Sequence, residues 1–386
     1  MKKSTRRALV GAVALGVLGT SGMVVALADT SGGRGGGRDV SATGEHEEEQ
    51  LQKLYKAAVA EGGTLTVYAG GDKPGQADYL RDAFIKKFPK MKVNMVVDFS
   101  KNHDARIDDQ ISRKNVVVDV THLQTLDDFP RWKKEGALER YRPVGWNRVY
   151  DQVKDSDGYF TGALFYAFGN VTATKLGDNA PVEAEDFLRP EFKNKLVFTY
   201  PNDDDAVLYY FKQLTDRYGF SYLKKLMAQN PAFVRGTQDS ADLVGTGDYV
   251  ANFGSGGSFS GLSTPSLPKR SPWVAWPQTA AILKAAPHKA AAKLYMSWLL
   301  SKDTQRNAIG TWSARDDVAP PSGRKGIFDY AHMNPLGLRD FMSDRTALDR
   351  YKARVGLYVG DVRGVNPADP KGVLGLAPIS QDGQQG

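Results

Sequence analysis

Between Thr64 and Val120 the chain alternates between strand and helix patterns, and that alternation leaves few folds open. Thr64-Leu65-Thr66-Val67-Tyr68 is a β-branched run that ends at Ala69-Gly70-Gly71. Ala77, Leu80, Phe84 and Phe88 then share one helical face, closed by Pro89. Val93, Met95 and Val97 alternate with polar residues, as a strand does. A polar helix is expected from about Asp104 to Arg113. Val116-Val117-Val118-Asp119-Val120 is the near-continuous apolar run of a strand buried on both faces. A β-α-β-α-β order needs helical crossovers and yields a doubly wound α/β sheet.

The pattern returns further on. Leu196 to Tyr200 reads as a strand, and Asn202-Asp203-Asp204-Asp205 reads as the cap of a helix through about Thr215. Helices are expected over Ser221–Gln229 and Ser240–Thr246, and a strand over Tyr249–Phe253. Trp273–Trp276 and Thr279–Leu283 read as two more strands. Ala291, Leu294, Tyr295, Trp298 and Leu299 mark the clearest helix. After Asp316 the chain is rich in Pro and Gly, with one amphipathic helix over Leu338–Val355 and a loose tail.

The first 28 residues combine Lys2, Lys3, Arg6 and Arg7, an apolar run from Ala8 to Leu27, and a small-residue site at Ala26-Leu27-Ala28. That layout predicts an export signal. Residues 29–50, Gly-, Ser- and Glu-rich, read as a disordered linker. Four charges of the net +7 belong to the signal, so the body carries only a small positive excess. No basic block with interleaved aromatics appears in it, which argues against nucleic acid as a partner. Cysteine is absent. That excludes disulfides, thiolate metal sites, a Cys nucleophile and a lipid anchor on Cys. The expected product is exported, periplasmic or extracellular, without a lipid anchor, and monomeric.

"LTVYAGG…AFIKKFPKMKV…VVVDV", "KEGALERYRP", "FLRPEFKNKLVFTYP" and "PHKAAAKLYMSWLLSKDTQ" stand in an order and spacing that resembles extracellular solute-binding proteins of ABC importers. The branch it is most similar to binds ferric iron or thiamine. The resemblance covers about residues 62–318. It implies a type II periplasmic-binding fold: two α/β lobes joined by a strand hinge, with a ligand caught between them. Lobe I would hold residues 51–165 with 270–386, and lobe II residues 166–269. The implied partners are a small solute or ion and the importer's membrane permease, with no cofactor.

Ligand is expected in a crevice at the carboxyl ends of the strands. Gly71 and Asp72 follow the first strand, and the resemblance places a ligand contact there. His122 follows the apolar strand and either binds an anion or metal or serves structure. Tyr200, Asn202, Asp203, Asp204 and Asp205 lie at a helix start. One or two of these polar side chains cap the helix. The surplus carboxylates are either solvated or face the crevice, where they would attract a cation. Arg235 and Thr237 come next; Arg235 either clamps an anionic group or pairs with the Asp cluster. Asn252, Phe253 and Gly254 follow a strand where ferric-binding relatives carry adjacent tyrosines. Phe and Gly offer no phenolate, so the resemblance does not extend to the tyrosine iron site, and the metal is left open. Tyr209-Tyr210 points to two helix faces and reads as packing. Trp276 is among several aromatics near these loops whose faces suit a cationic organic solute such as thiamine or a polyamine. His288, at a helix start after Pro287, reads as a capping or surface residue.

No nucleophile elbow, zinc-protease motif or phosphate loop is present. The leading expectation is therefore a transport protein and not an enzyme. Its alternatives are a ferric carrier with a non-tyrosine site and a secreted hydrolase working with paired carboxylates.

Overall fold

In a computed structural model of the chain, residues 37–378 are described, with side chains from residue 44 onward. The expected export signal at residues 1–28 and the first part of the linker lie outside the described residues. Ala42 onward forms one compact unit. Of the residues before it, only helical backbone from Gly37 is described. The described chain contains no helix long and apolar enough to cross a membrane.

The first half runs α1 (Gly37–Glu61), β1 (Thr64–Gly70), α2 (Asp78–Lys87), β2 (Lys92–Asp98), α3 (Ser100–Ser112), β3 (Val120–Leu123), α4 (Asp128–Lys134) and β4 (Thr161–Ala173). Next come β5 (Val197–Thr199), α5 (Asp205–Tyr218), α6 (Phe220–Ala228), β6 (Ala232–Val234), α7 (Thr237–Leu243), β7 (Ala251–Ser255) and β8 (Ser263–Ser266). The last elements are β9 (Val274–Ile282), α8 (Lys289–Leu300), α9 (Lys302–Asn307), β10 (Trp312–Ser313), α10 (Gly337–Ser343) and α11 (Arg345–Val359).

The main sheet has the order β10-β4-β9-β3-β1-β2, with β7 and β8 also paired to β4. β1 lies parallel to both β2 and β3, the arrangement that the two helical crossovers impose. β5 and β6 form a separate parallel pair. Two hydrophobic clusters result. The first gathers α1, β1, α2, β2 and α8, with Val67, Phe84, Tyr295 and Trp298 at its centre. The second gathers α5, α6, α7, β5 and β7, with Phe198, Phe211, Leu226 and Phe253.

β4 and β9 belong to both. Ala163 and Leu164 of β4, and Ala280 to Ile282 of β9, pack in the first cluster. Phe165, Phe168 and Val171 of β4, and Val274 to Trp276 of β9, pack in the second. An antiparallel pair of long strands thus runs from one core into the other.

Several elements depart from the sequence reading. The linker expected over 29–50 is helical from Gly37, and its Glu-rich end is anchored. Glu47 is buried, accepting from Arg315 Nη1 at 2.8 Å and from the Lys302 amide at 2.8 Å. The strand expected at 116–120 begins only at Val120. Asp119 ahead of it is bound by His288 Nδ1 and the His288 amide; His288 stands at the N-cap position of α8, but its side chain bonds Asp119 and makes no capping bond to the helix. The two strands expected over 273–283 are one, because Pro277 sits opposite Phe165 without breaking the ladder. The single helix expected over 338–355 is two. Finally, Trp312, Ile327, Leu338, Phe341, Leu348 and Val355 pack in the second cluster, not with the first lobe as expected for the C-terminal extension; Leu374 alone returns to the first.

Candidate binding cleft

The loops after β1, β2 and β3 face the starts of α5 and α7 across a cleft enclosing about 970 Å³, its open mouth included. This is the carboxyl end of the parallel strands, where the crevice of a doubly wound sheet opens. Gly70 and Gly71 let the β1 loop lie flat: a Cβ at Gly71 would stand 2.7 Å from Val97 Cγ1, and one at Gly70 would collide with Ser100 Oγ.

Asp72 reaches across. Its carboxylate accepts from the Thr237 amide at 2.6 Å, the Thr237 hydroxyl and the Gln238 amide at 3.0 Å, the first turn of α7. Burial raises its pKa, and those three donors oppose the rise. Beside it, Lys73 Nζ bonds Asp242 at 2.6 Å and Asp239 at 2.8 Å. Lys101, after β2, donates to the Asp203 carbonyl at 2.6 Å and to its carboxylate at 2.5 Å.

The three consecutive acids have three different fates. Burial would push Asp203 up, but Arg235 at 2.7 Å and Lys101 hold it below the usual carboxylate range. Asp205 pairs with Lys352 at 2.8 Å and Arg345 at 3.4 Å. Asp204 caps α5, accepting from the Val207 amide at 2.9 Å. Among the described residues no cation lies within ion-pair distance of it. Burial, aggravated by the charge of Asp72, pushes its pKa up to about 7.

One wall is aromatic. Trp276 meets Phe168 edge-on at 4.7 Å and lies 5.8 Å from Tyr166; Phe99 also lines the cleft. Trp276 donates to Gln278 Oε1 at 3.0 Å, and Gln278 Nε2 donates to the His122 carbonyl at 3.1 Å. The His122 ring sits 3.3 Å from the Tyr295 hydroxyl; burial lowers its pKa to about 4, so it is a neutral imidazole.

Of the residues expected from sequence, Gly71, Asp72, His122, Asp203, Asp204, Asp205, Thr237 and Trp276 line the cleft. The others do not. Tyr200 is buried with its ring 5.4 Å from Phe233. Asn202 donates to the Gly360 carbonyl at 2.9 Å, and Arg235 is taken by Asp203. Asn252 is fully buried and bonds Ser240 Oγ at 3.2 Å. Phe253 packs 4.4 Å from Phe198 and 5.1 Å from Tyr210, because α5 and α7 close over the end of β7. Gly254 (φ +82°) turns that strand end against Val207. Tyr210 is core, as its helical position implies, and Tyr209 packs on Phe341. The sequence reading passed over Gln76, Phe99, Ser100, Lys101, Gln124 and Gln278. Phe99 to Lys101 directly follow β2, so applying the strand-end rule to every strand would have found them.

Among the described residues, no three His, Asp or Glu side chains are grouped to hold a metal ion. A family model of the bacterial extracellular solute-binding protein matches residues 118–322, just over half of the chain. The chain belongs to that family. This solute-binding protein is therefore of the ABC-transport type, and its family implies export. No curated protein matches it. Among solved structures, it is similar to the substrate binding protein of an ABC transporter from Agrobacterium tumefaciens, at a TM-score of 0.66 and 17% identity, covering 77% of this chain and 94% of that one. It is also similar to the periplasmic binding protein AfuA from Actinobacillus pleuropneumoniae with fructose-6-phosphate bound (TM-score 0.60, 16% identity, 77% and 98% covered). Iron-bound HitA from Pseudomonas aeruginosa is another (TM-score 0.57, 16% identity, 76% and 99% covered). At such identities the likeness carries the fold: α/β, two lobes, type II periplasmic binding.

Proposed function

We propose that this protein captures a small organic cation, of the size of thiamine or a polyamine, between its two lobes and hands it to an importer permease. The two hydrophobic clusters are the lobes, and β4 with β9 is the hinge. The observation that carries the ligand class is Asp204: the one acid of its run without a cationic partner, standing in a cleft walled by Trp276, Tyr166, Phe168 and Phe99. A bound cation supplies the missing charge and takes cation–π contact from the wall. The structure-related HitA and AfuA bind iron and a sugar phosphate. Here no three His, Asp or Glu side chains are grouped for a metal among the described residues, and Lys101 in the lining is already held by Asp203, which argues against iron for want of a ligand set and against a sugar phosphate for want of a free cation.

No chemical conversion is expected. Asp203 and Asp205 are paired and Asp72 is engaged by α7, which leaves Asp204 without a second free carboxylate for acid–base work. The test is a thermal-shift titration of the protein with thiamine, spermidine, ferric citrate and a sugar phosphate at pH 6 and pH 8. The expected result is stabilisation by a cation, stronger at pH 8 where Asp204 is ionised, and at least about tenfold weaker binding by Asp204→Asn. Stabilisation by the sugar phosphate, undiminished in Asp204→Asn, would overturn this assignment.

A further inference from the structure

After α11 the chain runs out along the second lobe and ends on the first. Lys352 of α11 pairs with Asp205, and Val355 packs in the second cluster. The Gly360 carbonyl then accepts from Asn202 at 2.9 Å, and the Gly364 carbonyl from Arg235 at 3.4 Å. Two residues later the hydrogen-bond partners change sides, while Pro367 still packs beside Gly236 of the second lobe. Asn366 Nδ2 donates to Asp98 Oδ1 at 2.7 Å. Arg106 Nε donates to the Gly375 carbonyl at 2.6 Å, and Gln110 Nε2 to the Leu376 carbonyl at 2.8 Å. Ala368 is fully buried, and Leu374 enters the first cluster.

These anchors border the cleft. Asp98 immediately precedes Phe99, and Asn202 and Arg235 immediately precede Asp203 and Gly236, all of which line it. The segment lies outside residues 118–322 matched by the family model. The span between its last bond to the second lobe and its first to the first lobe, Gly364 to Asn366, reaches at most about 7 Å when extended. A hinge opening that parts the rims by more than that must pull one set of bonds apart.

We propose that residues 360–376 are a clasp joining the two lobes across the cleft, so that opening to exchange ligand requires the clasp to release as well as the direct bonds of Asp72, Lys73 and Lys101 to the second lobe. The proposal rests on the two-lobe reading but not on the ligand class. Asp98, the socket for Asn366, is fully buried and also bound by Arg106, so the docked clasp reads into the helix that frames the ligand loop after β2.

The test measures opening without any ligand. The chain has no cysteine, so Lys86→Cys on α2 and Lys224→Cys on α6, both exposed, place one spin label on each lobe. Inter-label distances are compared between the full chain and a variant with twelve Gly/Ser residues inserted between Gly364 and Val365. These positions are exposed, and the insertion deletes none of the residues that bond either lobe. The expected result is a single narrow distance in the parent and an added population longer by roughly 5–10 Å in the lengthened variant. A protease site in the same insert, cut after folding, should widen the distribution further. Identical distributions in parent, lengthened and cut proteins would overturn the clasp. A thermal-shift screen that instead finds an anion would overturn only the ligand assignment.

Discussion

Asp204 carries two demands that conflict. As the N-cap of α5 it must offer an oxygen to the Val207 amide, yet burial disfavours its charge. Its folded pKa of about 7 lies above the unfolded value of 3.8. Between those values the folded chain keeps a proton that the unfolded chain has lost, so stability falls as pH rises through that window. Asn caps as well as Asp and carries no charge. Asp204→Asn should therefore gain on the order of 1–2 kcal/mol over the parent at pH 8 and nothing at pH 4, read from urea unfolding at both. The acidic run itself was plain in the sequence. Its charge balance was only half legible: pairing of Arg235 with the acids was one of two expectations, whereas Arg345 and Lys352 lie far along the chain and only the fold brings them in.

The C-terminal helices show why periodicity finds elements better than it finds their ends. Apolar residues at helical spacing continue from Leu338 through Val355, so one helix is the natural expectation. Asp344 interrupts it, with its carboxylate accepting from the Ala347 amide at 2.9 Å and starting α11 afresh. Asp344→Ala removes that cap and should cost about 1 kcal/mol, measured as a lowered urea midpoint with unchanged slope. The β-α-β-α-β run was legible because its first strand is β-branched, its second alternates apolar and polar residues, and its crossovers are helical. Two other features were hidden for local reasons. Pro277 reads as a break, yet β9 continues through it. The Val116–Val118 run looks like the strand, yet β3 begins at Val120.

At the scale of the molecule, the Glu-rich stretch before Leu51 has a linker's composition, but composition says nothing of distant partners. Its Glu47 meets Arg315, a fully buried guanidinium that also donates to Asp317 at 2.8 and 3.0 Å and to the Leu300 carbonyl at 2.9 Å. Arg315→Met keeps the volume but takes the guanidinium from Glu47 and Asp317, leaving them the Lys302 amide and the longer Lys302 and Arg148 contacts, and should destabilise the protein by about 2–3 kcal/mol. Guanidinium chloride unfolding checks that figure, and hydrogen exchange should show α1 loosening first. The two-lobe plan itself was visible only through the family resemblance; periodicity alone gave a two-domain α/β chain. β4 and β9 also set a timetable. The first core lacks β9 and α8 until some 150 residues after β3 have been made, and the second waits for α11. Neither half can finish early during synthesis, so both cores close together, late, once most of the chain is available.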